Sequence, residues 1–219
     1  MKLIIIDYGS GNLKSVANAF KNSVLENNLN FSVEVTSELN SIKNSDLLVL
    51  PGVGSFPDCK KGLQKIQGLI DVLFDVVIIK NKPFLGICVG MQLMAEYSLE
   101  KVKTDGFGWF KGNIEKINNN GTDYLGRNYK IPHMGWNNLE ISEERHPILK
   151  NITEKEQFYF VHSYYFKIKE KNRVYANTNY NHKIPAVIAK DNYVGVQFHP
   201  EKSSFSGQKL ISNWLMWKP

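Results

Sequence analysis

Short apolar runs and helical periods alternate through the first half of the chain. Lys2–Asp7 (KLIIID) is an aliphatic run closed by an acid, the pattern of a strand buried on both faces of a parallel sheet. Gly9-Ser10-Gly11-Asn12 marks a turn, and Leu13, Val16, Ala17, Phe20 and Val24 then recur at helical spacing. Ser32–Ser37 (SVEVTS) alternates as a strand. Leu47–Leu50 is a further buried strand, closed by Pro51-Gly52-Val53-Gly54. The spacing predicts helix over most of Phe56–Lys80, a strand at Pro83–Cys88 (PFLGIC) and a helix over Val89–Tyr97. Alternating strand and helix predict a parallel sheet with helices on both faces.

The second half is strand-rich. Phe107–Ile117 and Tyr129–Leu139 read as strands around the turn Asn118-Asn119-Asn120-Gly121. Gln157–Phe166, Arg173–Asn177, Ala186–Ala189 and Tyr193–His199 follow as strands with short turns, and Phe205–Trp217 closes the chain as an amphipathic helix. No repeat or linker interrupts this order. The fold class expected is α/β, one domain over residues 1–219. It has a single open mixed, mainly parallel sheet flanked by helices, with an antiparallel second half.

Composition narrows the function. The 219 residues are 42 % hydrophobic and 22 % charged, which excludes a disordered, collagen-like or coiled-coil chain. Two cysteines, Cys59 and Cys88, exclude a disulfide-rich scaffold and a four-cysteine zinc site. The five histidines (His133, His146, His162, His182 and His199) include no pair at ligand spacing, so no metal is expected. No apolar run is long enough to span a bilayer and no signal-peptide pattern opens the chain, so a cytoplasmic location and no membrane contact are expected. The net charge of +6 is spread along the chain. Its densest group (Lys167, Lys169, Lys171, Arg173) is broken by Glu170 and carries no nucleic-acid-binding signature, so it reads as a solvated face.

The sharpest chemical signal is Gly86-Ile87-Cys88-Val89-Gly90, placed between a buried strand and a helical pattern. This is a nucleophile elbow, G-x-Nuc-x-G, with cysteine as the nucleophile. The helix that follows would offer free N–H groups and a positive dipole end to a thiolate, and the Val89 N–H would face a developing oxyanion. Cys59 has no such context and reads as a bystander. A nucleophilic cysteine needs a base and an orienting group. In His199-Pro200-Glu201 the acid stands two residues from the histidine, on the same side of an extended segment, and so fixes its tautomer. His133 and His162 also follow apolar strands and stand as further candidates to line a site. Gly52 and Val53 end a strand at the same sheet edge as Cys88, where ligands of open parallel sheets bind, although such a sequence also makes an ordinary turn. The Gly9–Asn12 turn lacks the third glycine of a dinucleotide fingerprint, since Lys14 stands there. Ser10 and Asn12 serve either a ligand, a partner or the turn alone.

Together these motifs resemble the triad-type class I glutamine amidotransferases over Ile4–Trp217. The matching residues are the PG-x-G strand end, Gly86–Gln92 (GICVGMQ) and His199-Pro200-Glu201. Asp7–Asn12, Pro132–Asn137 (PHMGWN) and His199–Ser203 (HPEKS) are similar to the glutaminase subunits of imidazole glycerol phosphate synthases within that family. The resemblance implies glutamine hydrolysis by a Cys88–His199–Glu201 triad, without a cofactor. It implies an oxyanion hole from Gly52, Val53 and Val89, and glutamine held by Gln92, Glu96, Ser163 and Tyr164. It further implies a heterodimer with a (β/α)8-barrel cyclase subunit, docked through Asn12, Trp136 and Lys202. That partner would use the ammonia to make imidazole glycerol phosphate, with the aminoimidazole carboxamide ribotide by-product, in histidine biosynthesis. The same motifs also fit a paralogue supplying ammonia to a surface-sugar amidotransferase, or a cysteine hydrolase of γ-glutamyl compounds or peptides. Lys111–Lys130 and Lys167–His182 look longer than the family minimum.

Overall fold

The computed structural model describes residues 1–118, 120–122 and 125–219. Asn119 of the expected turn at Asn118–Gly121 lies outside the described residues. The first half alternates as the sequence predicts: β1 (Lys2–Ile6), α1 (Leu13–Glu26), β2 (Ser32–Thr36), α2 (Leu39–Lys43), β3 (Leu47–Gly52), α3 (Phe56–Lys65), α4 (Leu69–Phe74), β4 (Phe84–Cys88) and α5 (Val89–Gln92). The helical stretch after Phe56 is broken by Gly68 at φ +81° and ends in a widened turn, Asp75–Ile79. In the second half come β5 (Tyr97–Ser98), β6 (Thr104–Asp105), β7 (Gly112–Lys116), β8 (His133–Asn138), β9 (Glu140–Ile141), β10 (Gln157–His162), β11 (Tyr164–Ile168), β12 (Val174–Tyr180), β13 (His182–Lys190), β14 (Tyr193–Val196) and α6 (Ser204–Met216).

An eight-stranded sheet in the order β2-β1-β3-β4-β14-β13-β12-β9 forms the centre. Its pairs from β2 to β14 are parallel, and the rest are antiparallel. The open mixed, mainly parallel sheet is thus as expected, but it is not single, because a two-stranded and a four-stranded sheet stand beside it. Right-handed crossovers put α1 on one face and α2, α3 and α4 on the other, because the first connection runs one way along the sheet and the next ones run back. On its face α1 packs against α6. The buried runs Leu3–Ile6, Leu47–Leu50 and Phe84–Ile87 lie between these layers. Among the described residues no helix is long and apolar enough to cross a membrane.

Two expectations fail where contacts are long-range. The strands around Asn118–Gly121 do not pair with each other: β7 joins a four-stranded sheet (β11-β7-β5-β6) and β8 a two-stranded one with β10. The helix expected over Val89–Tyr97 stops after one turn. The N–H groups of Gly106, Phe107, Gly108 and Trp109 take the carbonyls of Glu96, Leu93, Ala95 and Met94, and Glu96 N–H goes to Gly112 O. These loop partners replace the next helical turn.

Candidate active site

The carboxyl end of β4 turns directly into α5, and Cys88 is the turning residue. Its φ of +53° is costly for a residue with a side chain, and the packing around it holds it there. The flanking glycines give clearance. A Cβ on Gly90 would land on the Leu50 carbonyl oxygen of β3, and one on Gly86 would meet the Gly90 carbonyl and the Met94 methyl, each at 2.6 Å. Because α5 has only four residues, its macrodipole is small, and a negative charge on Cys88 rests on neighbouring side chains instead.

The first neighbour is His199, which follows β14. Its backbone is tied on both sides: N–H donates to Tyr159 O at 2.9 Å, and the carbonyl accepts from Ser203 Oγ at 2.6 Å. Its Nδ1 lies 2.9 Å from Glu201 Oε1, with both side chains buried. Nε2 is left for Cys88, which lines the same cavity. Burial works against a charged imidazole here. The Cys88 thiolate, and after it the Glu201 carboxylate, outweigh burial and push the His199 pKa up to about 10. Oε2 of Glu201 is buried with no hydrogen-bond partner among the described residues, so the His199 ring is the donor that the carboxylate serves.

These groups open onto a cavity of about 280 Å³ that brings Cys88 and His199 together with Val53, Val89, Gln92, Ser163, Tyr164 and Lys202. Ligand sites run from roughly 300 to 1,000 Å³, so this cavity suits one free amino acid better than a peptide. A larger hollow of about 730 Å³, between Met1, Leu47, Pro83 and Trp217, lies at the opposite end of the parallel strands and holds none of this chemistry. Among the described residues no group of acids, histidines and cysteines could hold a metal ion.

A family model described as "Glutamine amidotransferase class-I" matches residues 4–217. The chain belongs to the class I glutamine amidotransferases. It is 43 % identical to "Imidazole glycerol phosphate synthase subunit HisH" of Mesorhizobium japonicum over the full length of both chains. It is likewise 43 % identical to the protein of that name in Pelagibacter ubique, over 98 % of this chain and 99 % of the relative. A solved glutamine amidotransferase structure shares the fold, with a TM-score of 0.68, 14 % identity, and coverage of 97 % of this chain and 96 % of that one. Enzymes of this class hydrolyse glutamine with a cysteine nucleophile, and the chain is an enzyme of the HisH type within it.

The structure places the other expected residues as follows. Gln92 Nε2 donates to the Tyr164 carbonyl and to Gln197 Oε1, each at 3.0 Å, which leaves its own carbonyl oxygen for a substrate donor. Gly52 pairs directly beside Cys88. The Val53 N–H, however, is engaged: it donates to Ser10 Oγ at 3.2 Å, and Ser10 Oγ donates back to Val53 O at 2.6 Å. Trp136 is exposed, and its ring meets Tyr159 edge-on at 6.0 Å, while Lys202 Nζ lies 5.8 Å from the same Tyr159 ring. The Asn12 side chain accepts from Ser15 N–H as the cap of α1.

One expected contact is corrected. Glu96 does not line the cavity; its carboxylate accepts from Gly112 N–H at 2.8 Å and lies 3.8 Å from Lys169. The early end of α5 turns the chain into β5 and swings Glu96 toward β7. Glu100 lines the cavity instead, accepting from Phe56 N–H at 2.7 Å, and burial raises its pKa. The sequence reading also missed Gln197, fully buried, whose Nε2 lies 3.7 Å from Cys88 Sγ. Its signal was available, because Gln197 and His199 stand two apart at the end of one strand and share a side.

Proposed function

We propose that residues 1–219 form one glutamine amidotransferase domain that hydrolyses glutamine and passes the ammonia to a (β/α)8-barrel cyclase subunit. In this reading the products are imidazole glycerol phosphate and aminoimidazole carboxamide ribotide, in histidine biosynthesis. The observation that carries it is the buried Cys88–His199–Glu201 line opening onto a cavity of amino-acid size. The names of the full-length relatives support the pathway. Two free cysteines and a site built on a cysteine nucleophile suit the reducing cytoplasm.

Cys88 sulfur attacks the side-chain amide carbon of glutamine. The carbonyl oxygen becomes an oxyanion, facing the Val89 N–H and, once released from Ser10, the Val53 N–H. His199 gives its proton to the departing nitrogen; the carbon–nitrogen bond breaks and leaves ammonia and a glutamyl thioester. Water then attacks the thioester with His199 as base, and glutamate leaves as the sulfur regains its charge. Glu100 supplies a carboxylate for the α-amino group and Gln92 a carbonyl oxygen. The Ser163–Tyr164 segment lies on the cavity wall beside them.

With the cyclase and its phosphorylated ligand, glutamate release is expected to rise well above that of the isolated chain. Equal rates in a coupled glutamate assay would sink the partnership. Ser10 offers a second test. Its two bonds pin the peptides on both sides of the Val53 Cα and keep the Val53 N–H on Ser10 instead of on the oxyanion. Ser10→Ala removes both, and a hydrogen bond is worth about 1 kcal/mol, so basal hydrolysis by the isolated chain should rise by about 5- to 30-fold. An unchanged or lower rate would count against this latch.

A further inference from the structure

Two buried histidines outside the triad form a hydrogen-bonded relay whose direction is set from both ends. His162 Nδ1 lies 2.9 Å from the Tyr164 carbonyl oxygen, which only accepts, so His162 carries its proton on Nδ1. At the other end, Asn137 Oδ1 accepts from Asn138 N–H at 2.8 Å, and Asn137 Nδ2 donates to Asn179 O at 3.0 Å. These backbone partners orient the amide and aim its second Nδ2 proton at His133 Nε2, 3.3 Å away. His133 therefore accepts at Nε2, is protonated at Nδ1, and donates to His162 Nε2 at 3.0 Å. The His133 ring is stacked between Phe160 at 4.9 Å and Tyr180 at 4.0 Å. Both rings stay neutral. Burial, then the neighbouring His162, takes His133 down to about 3; burial, with His199 nearby, takes His162 down to about 4.

The relay ends on the cavity wall. The Tyr164 carbonyl that receives His162 also receives Gln92, and Gln92 leads through Gln197 to Cys88. Strand alternation puts His133 and Asn137 on one face of β8, with Met134 and Trp136 exposed on the other. One run of hydrogen bonds thus joins a strand with an exposed outer face to the nucleophile.

We propose that His133 is a positioning residue for the glutamine cavity: it holds His162 in its Nδ1–H tautomer and so keeps the Tyr164 carbonyl and the Gln92 amide in place for the bound amino acid. This rests on the glutamine-hydrolysing reading above. A free neutral imidazole side chain favours the Nε2–H form. Without the His133 donor, His162 Nε2 becomes a buried acceptor with no partner, only the Tyr164 carbonyl still opposes the Nε2–H form, and the hold of His162 on that carbonyl weakens.

Two substitutions separate positioning from packing. His133→Phe keeps the ring stack but deletes the donor; His133→Asn deletes the stack but keeps an N–H near the place of Nδ1. Each is measured in the complex with the cyclase. His133→Phe should raise KM for glutamine about tenfold with kcat changed less, the cost of a buried acceptor left without its donor. His133→Asn should keep KM near wild type even where its melting temperature falls. A merely structural histidine predicts the reverse order, with His133→Phe the milder change and KM unmoved. Nitrogen NMR of the wild-type chain gives a second reading that needs no variant. Both rings should be neutral and protonated on Nδ1 from about pH 5.5 to about pH 8. An Nε2–H signal, or titration of either ring in that range, overturns the relay. A wild-type complex that turns over no glutamine overturns the proposed function. A complex that does so while His133→Phe leaves KM unmoved overturns the positioning role alone.

Discussion

Replacing Cys88 by alanine is expected to abolish glutamine hydrolysis while the chain still folds. Loss of a catalytic nucleophile costs on the order of 10⁵- to 10⁶-fold in kcat. No other cysteine can stand in: Cys59 is buried with its thiol 3.3 Å from Ser10 Oγ and 3.5 Å from Val53 O, beyond the end of β3. The fold should survive. Alanine is smaller, it meets the same positive φ as cysteine, and the clearance at Gly86 and Gly90 is untouched. The variant also separates the two halves of the proposed reaction. With the cyclase and its ligand, ammonium salt supplied directly should support product formation at the wild-type rate, and glutamine should support none. Retained glutamate release would remove Cys88 from the mechanism. Loss of the ammonium-driven reaction would instead point to a disturbed interface.

What could be read from the chain alone divides by distance along it. The elbow at Gly86–Gly90 and the His199–Glu201 pair were legible because their geometry is local: a strand-to-helix turn in one case, alternation in the other. The parallel half of the sheet was legible because β1, β3 and β4 are unbroken apolar runs, a pattern that burial on both faces imposes. Glu100 was not legible. Choosing it over Glu96 requires knowing that α5 ends at Gln92, and that end is set by N–H groups of residues 106–109, which sequence periodicity does not reveal. The pairing of β7 with β11 and of β8 with β10 was hidden for the same reason. The hold of Ser10 on Val53 spans two strand ends 43 residues apart, and its only trace in the sequence was a turn with an unassigned hydroxyl.

Glu201→Gln should be the next most damaging change, at about 10⁴-fold in kcat, the size seen when a triad acid is made neutral. The glutamine amide has nearly the shape of the carboxylate, so the loss is one of charge and tautomer. A carboxylate accepts the Nδ1–H of His199 in either charge state of the ring. An amide that turns its NH2 to Nδ1 forces the proton onto Nε2, where Cys88 needs an acceptor. The opposite orientation would instead bury the N–H donors where Glu201 Oε2 has no partner. Glu201 does not line the cavity, so KM for glutamine should move little beside kcat. Stability carries the same signature. The folded pKa of His199 is about 10, above its ordinary 6.5, so stabilisation by the charged ring is complete below pH 6.5 and fades as pH rises through about 10. Removing the Glu201 charge lowers the folded pKa. The pH-dependent part of the melting-temperature gap between wild type and variant should therefore be full near neutrality and close toward pH 10. Glu201→Asp keeps the charge on a shorter arm and should recover part of both kcat and the gap. A Glu201→Gln variant with kcat within threefold of wild type, or with a gap that does not narrow with pH, would show that His199 takes its orientation and charge from elsewhere.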